Sequence, residues 1–169
     1  TSESVREELP HTPGFHSIDV DIQCEDLFLL DKQIADESEG LLLPLESPAE
    51  LKTYLLEEHH STSFLLNDEE GEHTGFFAYY DRDPSTSELL TIGVLKRFQG
   101  KGYAQQMMQK YFELNPGKKL FVLVTKPDNA RALSFYEKLG YKVTELKKDY
   151  YGPGEDRLWL ELEASTSHG

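Results

Sequence analysis

The chain has 169 residues, 28% of them charged and 38% hydrophobic, with a formal net charge of −14. That length supports one domain with a sizeable core and is short for two. No run approaches the ~18 apolar residues of a membrane span, so membrane attachment is not expected. The charge is uneven: residues 1–90 carry 22 Asp/Glu against 4 Lys/Arg, and residues 91–169 carry 9 against 13. An acidic chain of this kind argues against capture of nucleic acid. The asymmetry leaves room for an anion on the second half and a cation near the first. Residues 1–8 show no basic segment followed by an apolar stretch, so no signal peptide is expected. The lone Cys24 cannot close an internal disulfide and fits a reducing, cytoplasmic setting.

Residues 1–14, polar with Pro10 and Pro13, read as a flexible arm. A single domain is expected over 15–163, followed by a flexible tail at 164–169. Alternation of Ile18, Val20 and Ile22 predicts a strand over Ser17–Cys24, and Leu27, Leu30 and Ile34 predict a short helix over Asp26–Ala35. Ser47-Pro48-Ala49-Glu50 opens a second helix with proline at its first position. Ser63–Asn67 and Thr74–Tyr80 read as strands joined by the acidic turn Asp68–Gly71, and Asp81–Thr86 as a further turn around Pro84. A strand over Leu89–Leu95 follows. Next comes a helix over Gln105–Leu114, with Ala104, Met107, Met108, Tyr111 and Phe112 spaced along one side. Leu120–Thr125 is apolar on both faces, as a central strand is. Asp128-Asn129 opens a helix that Gly140 closes, and Tyr141–Leu146 and Arg157–Leu162 are the last two strands. The order βααβββαβαββ describes an α/β domain with a mixed sheet, helices on both faces and no internal repeat.

The most informative stretch is Gln99-Gly100-Lys101-Gly102-Tyr103-Ala104, placed where a strand gives way to a helix. Glycines there let several main-chain N–H groups converge at the positive end of a helix dipole, a setting suited to phosphate or pyrophosphate. A glycine turn without a ligand has the same local pattern.

Two blocks together resemble a known family. Val94 to Ala104 resembles the acetyl-CoA signature of the GNAT superfamily of N-acyltransferases, Gln/Arg-x-x-Gly-x-Gly/Ala. Some 25 residues on, Asn129 to Tyr141 is similar to that superfamily's second signature, Asn-x-x-Ala-x-x-x-Tyr-x-x-x-Gly-Phe/Tyr. The resemblance is specific over residues 86–148. It implies a central, mostly antiparallel sheet whose fourth and fifth strands, those of Val94 and Val124, splay apart. It also implies bound acetyl-CoA as co-substrate. The N–H groups of Gln99, Gly100, Lys101, Gly102, Tyr103 and Ala104 would hold its pyrophosphate, and Ile92, Gly93 and Val94 would pair with its pantetheine amides as an added strand. Lys96, Arg97, Lys101 and Arg131 lie near the anion in sequence and equally read as exposed basic side chains. Asn129 is both an N-cap and a cofactor contact in such proteins. Tyr136 is then the general acid that protonates the departing thiolate or stabilises it by hydrogen bond.

An attacking amine must be neutral, so a base or a water relay is expected. Glu88, six residues before Val94, occupies a position where several GNAT members resembling this chain carry a catalytic Glu. Beside Leu89 and Leu90 its pKa is expected to rise, unless it is a solvated strand-edge residue. The strand Leu123-Val124-Thr125 offers no base, which leaves Glu88 or a water held by main-chain carbonyls. Tyr150 and Tyr151 resemble the paired tyrosines that line the peptide entry in protein N-terminal acetyltransferases, a pattern that small-amine members share and that equally reads as a hydrophobic plug for the loop. The expected acceptor is a small cationic amine or a peptide N-terminus, reached by direct transfer in a ternary complex. The protein is expected to be a monomer or homodimer. His59-His60 and His73 lack zinc-site spacing, and no metal is expected. A non-catalytic acyl-CoA-binding module and a nucleotide-binding protein are the competing readings.

Overall fold

The computed structural model describes residues 6–38, 42 and 45–164. The chain runs β1 (Gly14–Ile18), α1 (Val20–Glu37) and α2 (Pro48–Lys52), then a π-helical turn (Thr53–Glu58), β2 (Thr62–Asn67), β3 (His73–Asp83) and β4 (Thr86–Val94). A 3-10 turn (Lys96–Phe98), α3 (Tyr103–Leu114), β5 (Leu120–Thr125), α4 (Ala130–Leu139), β6 (Lys142–Lys147) and β7 (Arg157–Glu163) complete it. The strands hydrogen-bond in the order β1-β2-β3-β4-β5-β7-β6. β4 and β5 run parallel, while β1–β2, β2–β3, β5–β7 and β6–β7 are antiparallel. The result is the mixed, mostly antiparallel α/β architecture expected from the element order.

The residues group into two compact units, one within 1–80 and 91–114 and the other within 81–90 and 115–169, with β3 and β4 contributing to both. In the first unit, Phe64 and Phe77 stack at 5.8 Å and Tyr79 meets Tyr111 of α3 at 5.1 Å, so α3 covers that face. On the other face α1 lies so close to β4 that a Cβ on Gly93 would stand 2.7 Å from Ile34 Cγ2. Leu27, Leu55, Leu65, Phe77, Met107, Met108 and Tyr111 are fully buried here. Each such side chain contributes about 1.5–3 kcal/mol relative to exposure. In the second unit, Phe121, Val122, Leu123 and Leu160 form the centre. α4 lies on the face of Leu162, whose Cδ1 is 3.0 Å from where a Cβ on Gly140 would be.

Three sequence expectations need correction. The strand predicted over Ser17–Cys24 stops at Ile18, and Val20 and Ile22 belong to α1. Asp19 decides this: its side chain accepts from Asp21 N at 3.1 Å and caps a helix whose buried Val20, Gln23, Leu27, Leu30 and Ile34 follow helical spacing. The turn expected over Asp81–Thr86 shrinks to Pro84-Ser85, because Asp83 Oδ1 accepts from Ser85 N at 2.9 Å and ties the reversal locally. The flexible arm expected over 1–14 is anchored from residue 6 onward. Leu9 is 1% exposed and donates its N–H to Asp26, and Asn67 Nδ2 donates to both Pro10 O and Thr12 O at 2.8 Å. Residues 1–5 and 165–169 lie outside the described residues, and Ala164 N still donates to Lys119 O at 3.0 Å.

Asp31 sits on α1 one residue past buried Leu30. Burial pushes its carboxyl from 3.8 up to about 6. Between those values the folded state holds more protons than the unfolded chain, so this group's contribution to stability falls as pH rises through that window. Asp31→Asn is therefore expected to raise stability at pH 7.5 by roughly 1–2 kcal/mol and to leave it unchanged at pH 3. Paired denaturant melts at the two pH values check this.

Candidate active site

In the first unit, Ile92, Gly93 and Val94 end β4, and the 3-10 turn and the glycine loop connect it to α3. Phe98 N donates to Leu95 O and Gln99 N to Lys96 O, which closes the turn. Gln99 Nε2 reaches back to Val94 O at 3.1 Å. Gln99 thus directs its own N–H to Lys96 O and braces the loop through its side chain.

Gly100 and Gly102 adopt φ of +79° and +87°, the left-handed region where a side chain would be strained. Neither position has a heavy atom within 4 Å of where a Cβ would be, so the space above the loop is open. Gln106 N donates to Gly102 O and starts α3. Among the described residues, no main-chain carbonyl accepts from the N–H groups of Gly102, Tyr103, Ala104 and Gln105. The other three α-helices begin differently: Asp19, Ser47 and Asn129 each accept a first-turn N–H through a side chain. Lys101 Nζ and Arg97 Cζ lie 6.0 and 4.4 Å from the Phe98 ring, beside the loop. Lys96 contributes its main-chain N–H to Glu37 Oε1 at 2.7 Å. That brace between the end of α1 and the turn joins residues 59 apart and has no local sequence signal.

In the second unit, Asn129 caps α4, its Oδ1 accepting from Ala132 N at 3.1 Å. Gly140 closes the helix at φ +107°, with Gly140 N to Glu137 O at 3.0 Å and Tyr141 N to Tyr136 O at 3.1 Å. These are the paired bonds of a Schellman motif. They explain why an Asn and a Gly bracket the helix that carries Tyr136. The Tyr136 ring contacts Phe135 and Tyr141, and burial pushes its phenol well above the usual tyrosine value.

Glu88 sits in the opposite face of the sheet from α4. It pairs with Val122, which pairs with Glu161, and Glu161 alternates with the Leu162 that α4 covers. The parallel ladder runs Thr86↔Leu120, Ser87↔Phe121 and Glu88↔Val122, so Glu88 is its last rung. The reading of Glu88 as a solvated edge residue fails, because the residue is 4% exposed. Arg82 Nη1 meets its Oε1 at 2.6 Å. Sequence reasoning missed Arg82, although a tight Pro84-Ser85 reversal brings the two strands within reach of each other.

Tyr150 and Tyr151 stand in the β6–β7 loop with ring centroids 4.8 Å apart, and both are partly exposed. Burial, and then the Glu88 carboxylate, push the Tyr150 phenol upward, while Arg82 acts against them. Arg157 Cζ lies 4.8 Å over the Tyr151 ring. Asp149 organises the loop from the left-handed region, at φ +53°. Its N–H donates to Asp156 Oδ1 and its Oδ1 accepts from Gly154 N, both at 2.8 Å. Among the described residues, no group of three or more His, Cys, Asp or Glu side chains is placed to hold a metal ion. No helix among them is long and apolar enough to cross a membrane.

Comparison with known proteins places these features in a family. The model of the acetyltransferase (GNAT) family matches residues 26–141. The N-terminal acetyltransferase complex ARD1 subunit homolog of Dictyostelium discoideum is 28% identical over 107 residues, 60% of this chain and 53% of that one. The match thus spans about half the length of that relative. Ard1 from Thermoplasma volcanium has a similar fold, with a TM-score of 0.70 at 18% identity over 89% of this chain and 96% of that one. An aminoglycoside 6′-N-acetyltransferase complexed with coenzyme A is also similar in fold, with a TM-score of 0.66 at 15% identity, covering 88% and 96% of the two chains.

Asp149→Ala removes one loop hydrogen bond and leaves a side chain with less tolerance of positive φ. Hydrogen exchange is expected to quicken about tenfold across 149–156, with β5 and β7 protection unchanged. Equal protection of the loop in variant and parent would contradict that role.

Proposed function

Because the chain belongs to the acetyltransferase (GNAT) family, we propose that it is an acetyl-CoA-dependent N-acetyltransferase acting on a primary amine by direct transfer in a ternary complex. The observation that carries this reading is the start of α3. Four N–H groups without a main-chain acceptor among the described residues lie at the positive end of a helix dipole, entered through two glycines in the left-handed region beneath open space. That donor set fits a pyrophosphate. Gly100, Lys101, Gly102, Tyr103 and Ala104 would hold it, with Gln99 bracing the loop through Val94. The main chain of Ile92 and Gly93 would meet the pantetheine amides, and Asn129 would contribute its amide while its oxygen caps α4.

When bound, acetyl-CoA supplies a thioester carbonyl open to attack and a thiolate leaving group. Glu88 takes the proton of the amine, directly or through a water held by main-chain carbonyls, as the carbon–nitrogen bond forms. Tyr136 would donate a hydrogen bond to the sulfur of the departing thiolate. A phenol raised by burial is a weaker acid than a thiol of pKa near ~8.5, so full proton transfer from it to a thiolate is uphill. Hydrogen-bond donation to the sulfur is therefore its role. Of the two parts the sequence left open for Tyr136, this is the one its surroundings favour.

The acceptor is a small cationic amine or a peptide N-terminus, entering past Tyr150 and Tyr151. Their rings and the nearby Glu88 carboxylate suit an ammonium-bearing molecule that sheds a proton before attack. A cytoplasmic setting goes with this chemistry and with the free Cys24.

A thiol-release assay across polyamines, aminoglycosides, amino acids and short peptides tests the reading. Turnover with at least one amine class is expected. Tight coenzyme A binding with no turnover on any would favour the non-catalytic module. With the best acceptor, Tyr136→Phe should lower kcat by about tenfold or more while the Kd for coenzyme A stays within about twofold. An unchanged kcat removes Tyr136 from the mechanism. Glu88→Gln should depress kcat/KM most on the low-pH side of the profile, where the amine is most protonated. A uniform or absent effect contradicts base duty.

A further inference from the structure

Glu88 is buried at the last rung of the parallel ladder, and a buried carboxylate without a cation takes up a proton and ceases to be a base. The cation here is Arg82, whose side chain is 42% exposed while that of Glu88 is 5% exposed. A half-exposed arginine has many places to go. One group that holds this one is Trp159 of β7: the guanidinium Cζ lies 5.1 Å from the indole centroid. The indole is in turn fixed by its Nε1, which donates to Glu161 Oε2 at 2.9 Å. A chain of fixed groups thus runs from β7 through Arg82 of β3 to Glu88 of β4.

We propose that Arg82 is a positioning residue, held on the Trp159 shelf, that keeps the Glu88 carboxylate ionised and aimed for its work on the acceptor amine. This rests on the reading of Glu88 as the base. Guanidinium suits the place better than ammonium because it can lie flat on the indole and present an edge N–H to the carboxylate together. Among the charged and titratable groups around Glu88, Arg82 faces it from β3 and Tyr150 from the β6–β7 loop. Past the indole, Lys147 lies 4.9 Å from the Trp159 centroid and pairs with Glu145 at 3.3 Å, so that cation is already engaged. Glu161 of β7 is occupied by the indole N–H. Arg82 is therefore the group whose loss changes the charge beside Glu88 most directly.

The test is a pH titration of Glu88 by carboxylate carbon NMR in Glu-labelled protein, the resonance assigned with Glu88→Gln, alongside the pH profile of kcat/KM. In Arg82→Gln the Glu88 midpoint should move up by about one pH unit, and the acid limb of kcat/KM should move with it. Arg82→Lys should recover most of the midpoint, since the charge returns without the flat stacking. Trp159→Leu should shift it part of the way, through Arg82. A Glu88 midpoint in Arg82→Gln equal to that of the parent protein overturns the inference while leaving the base reading intact. A Glu88→Gln protein with parental kcat/KM at every pH overturns the base reading itself, whatever the midpoints do. Should Arg82→Gln fail to fold, Trp159→Leu decides: an unmoved midpoint there also overturns the proposal.

Discussion

A helix must find partners for its first four N–H groups, and α3 leaves Gly102, Tyr103, Ala104 and Gln105 without a main-chain one among the described residues. The other α-helices show what the chain does when nothing else is required of a helix start: it places Asp19, Ser47 or Asn129 there. At α3 it places a glycine at φ +87°, which has no side chain to offer and keeps the approach open. Water satisfies such groups in the free protein, and an anion satisfies them better, because the four donors and the helix dipole add in one direction. The rest of this unit braces the array. Gln99 ties the loop to β4, Glu37 ties the preceding turn to α1, and Phe98 is buried beneath both basic side chains.

The second unit is built around a different constraint, the placing of ionisable and phenolic groups. α4 is held at both ends by its caps, so the position of Tyr136 along the helix is set by Asn129 and Gly140. Across the sheet, Glu88 is buried with a cation in contact, and the β6–β7 loop is pinned by carboxylates so that Tyr150 stands near Glu88. A buried acid, a raised phenol and a pair of partly exposed rings are each fixed by interactions within this unit.

What could be read from the sequence follows how local the determining physics is. The glycine loop, the Asn129 cap and the Gly140 stop were legible because each is a backbone requirement met by one residue type within a few positions. β5 was legible because an apolar run with no polar face has few other places to go. The start of α1 was not. Ile18, Val20 and Ile22 alternate as a strand does, and the Asp19 cap and the helical spacing of the buried residues after it override that short pattern. The arm from residue 6 to 13 was misread for another reason: its polarity is real, but its main chain is held by Asn67 and Asp26 from elsewhere in the chain. Arg82 on Trp159, and Glu37 on Lys96, are contacts between residues far apart in sequence, and no window of residues announces them.

The most direct test of the central claim is amide NMR of the protein titrated with coenzyme A, read residue by residue. The account predicts saturable downfield shifts and slowed exchange concentrated at the amides of Gly102 to Gln105, with smaller changes at Ile92 and Gly93. Binding that leaves those four amides unmoved, or no binding at all, would contradict it.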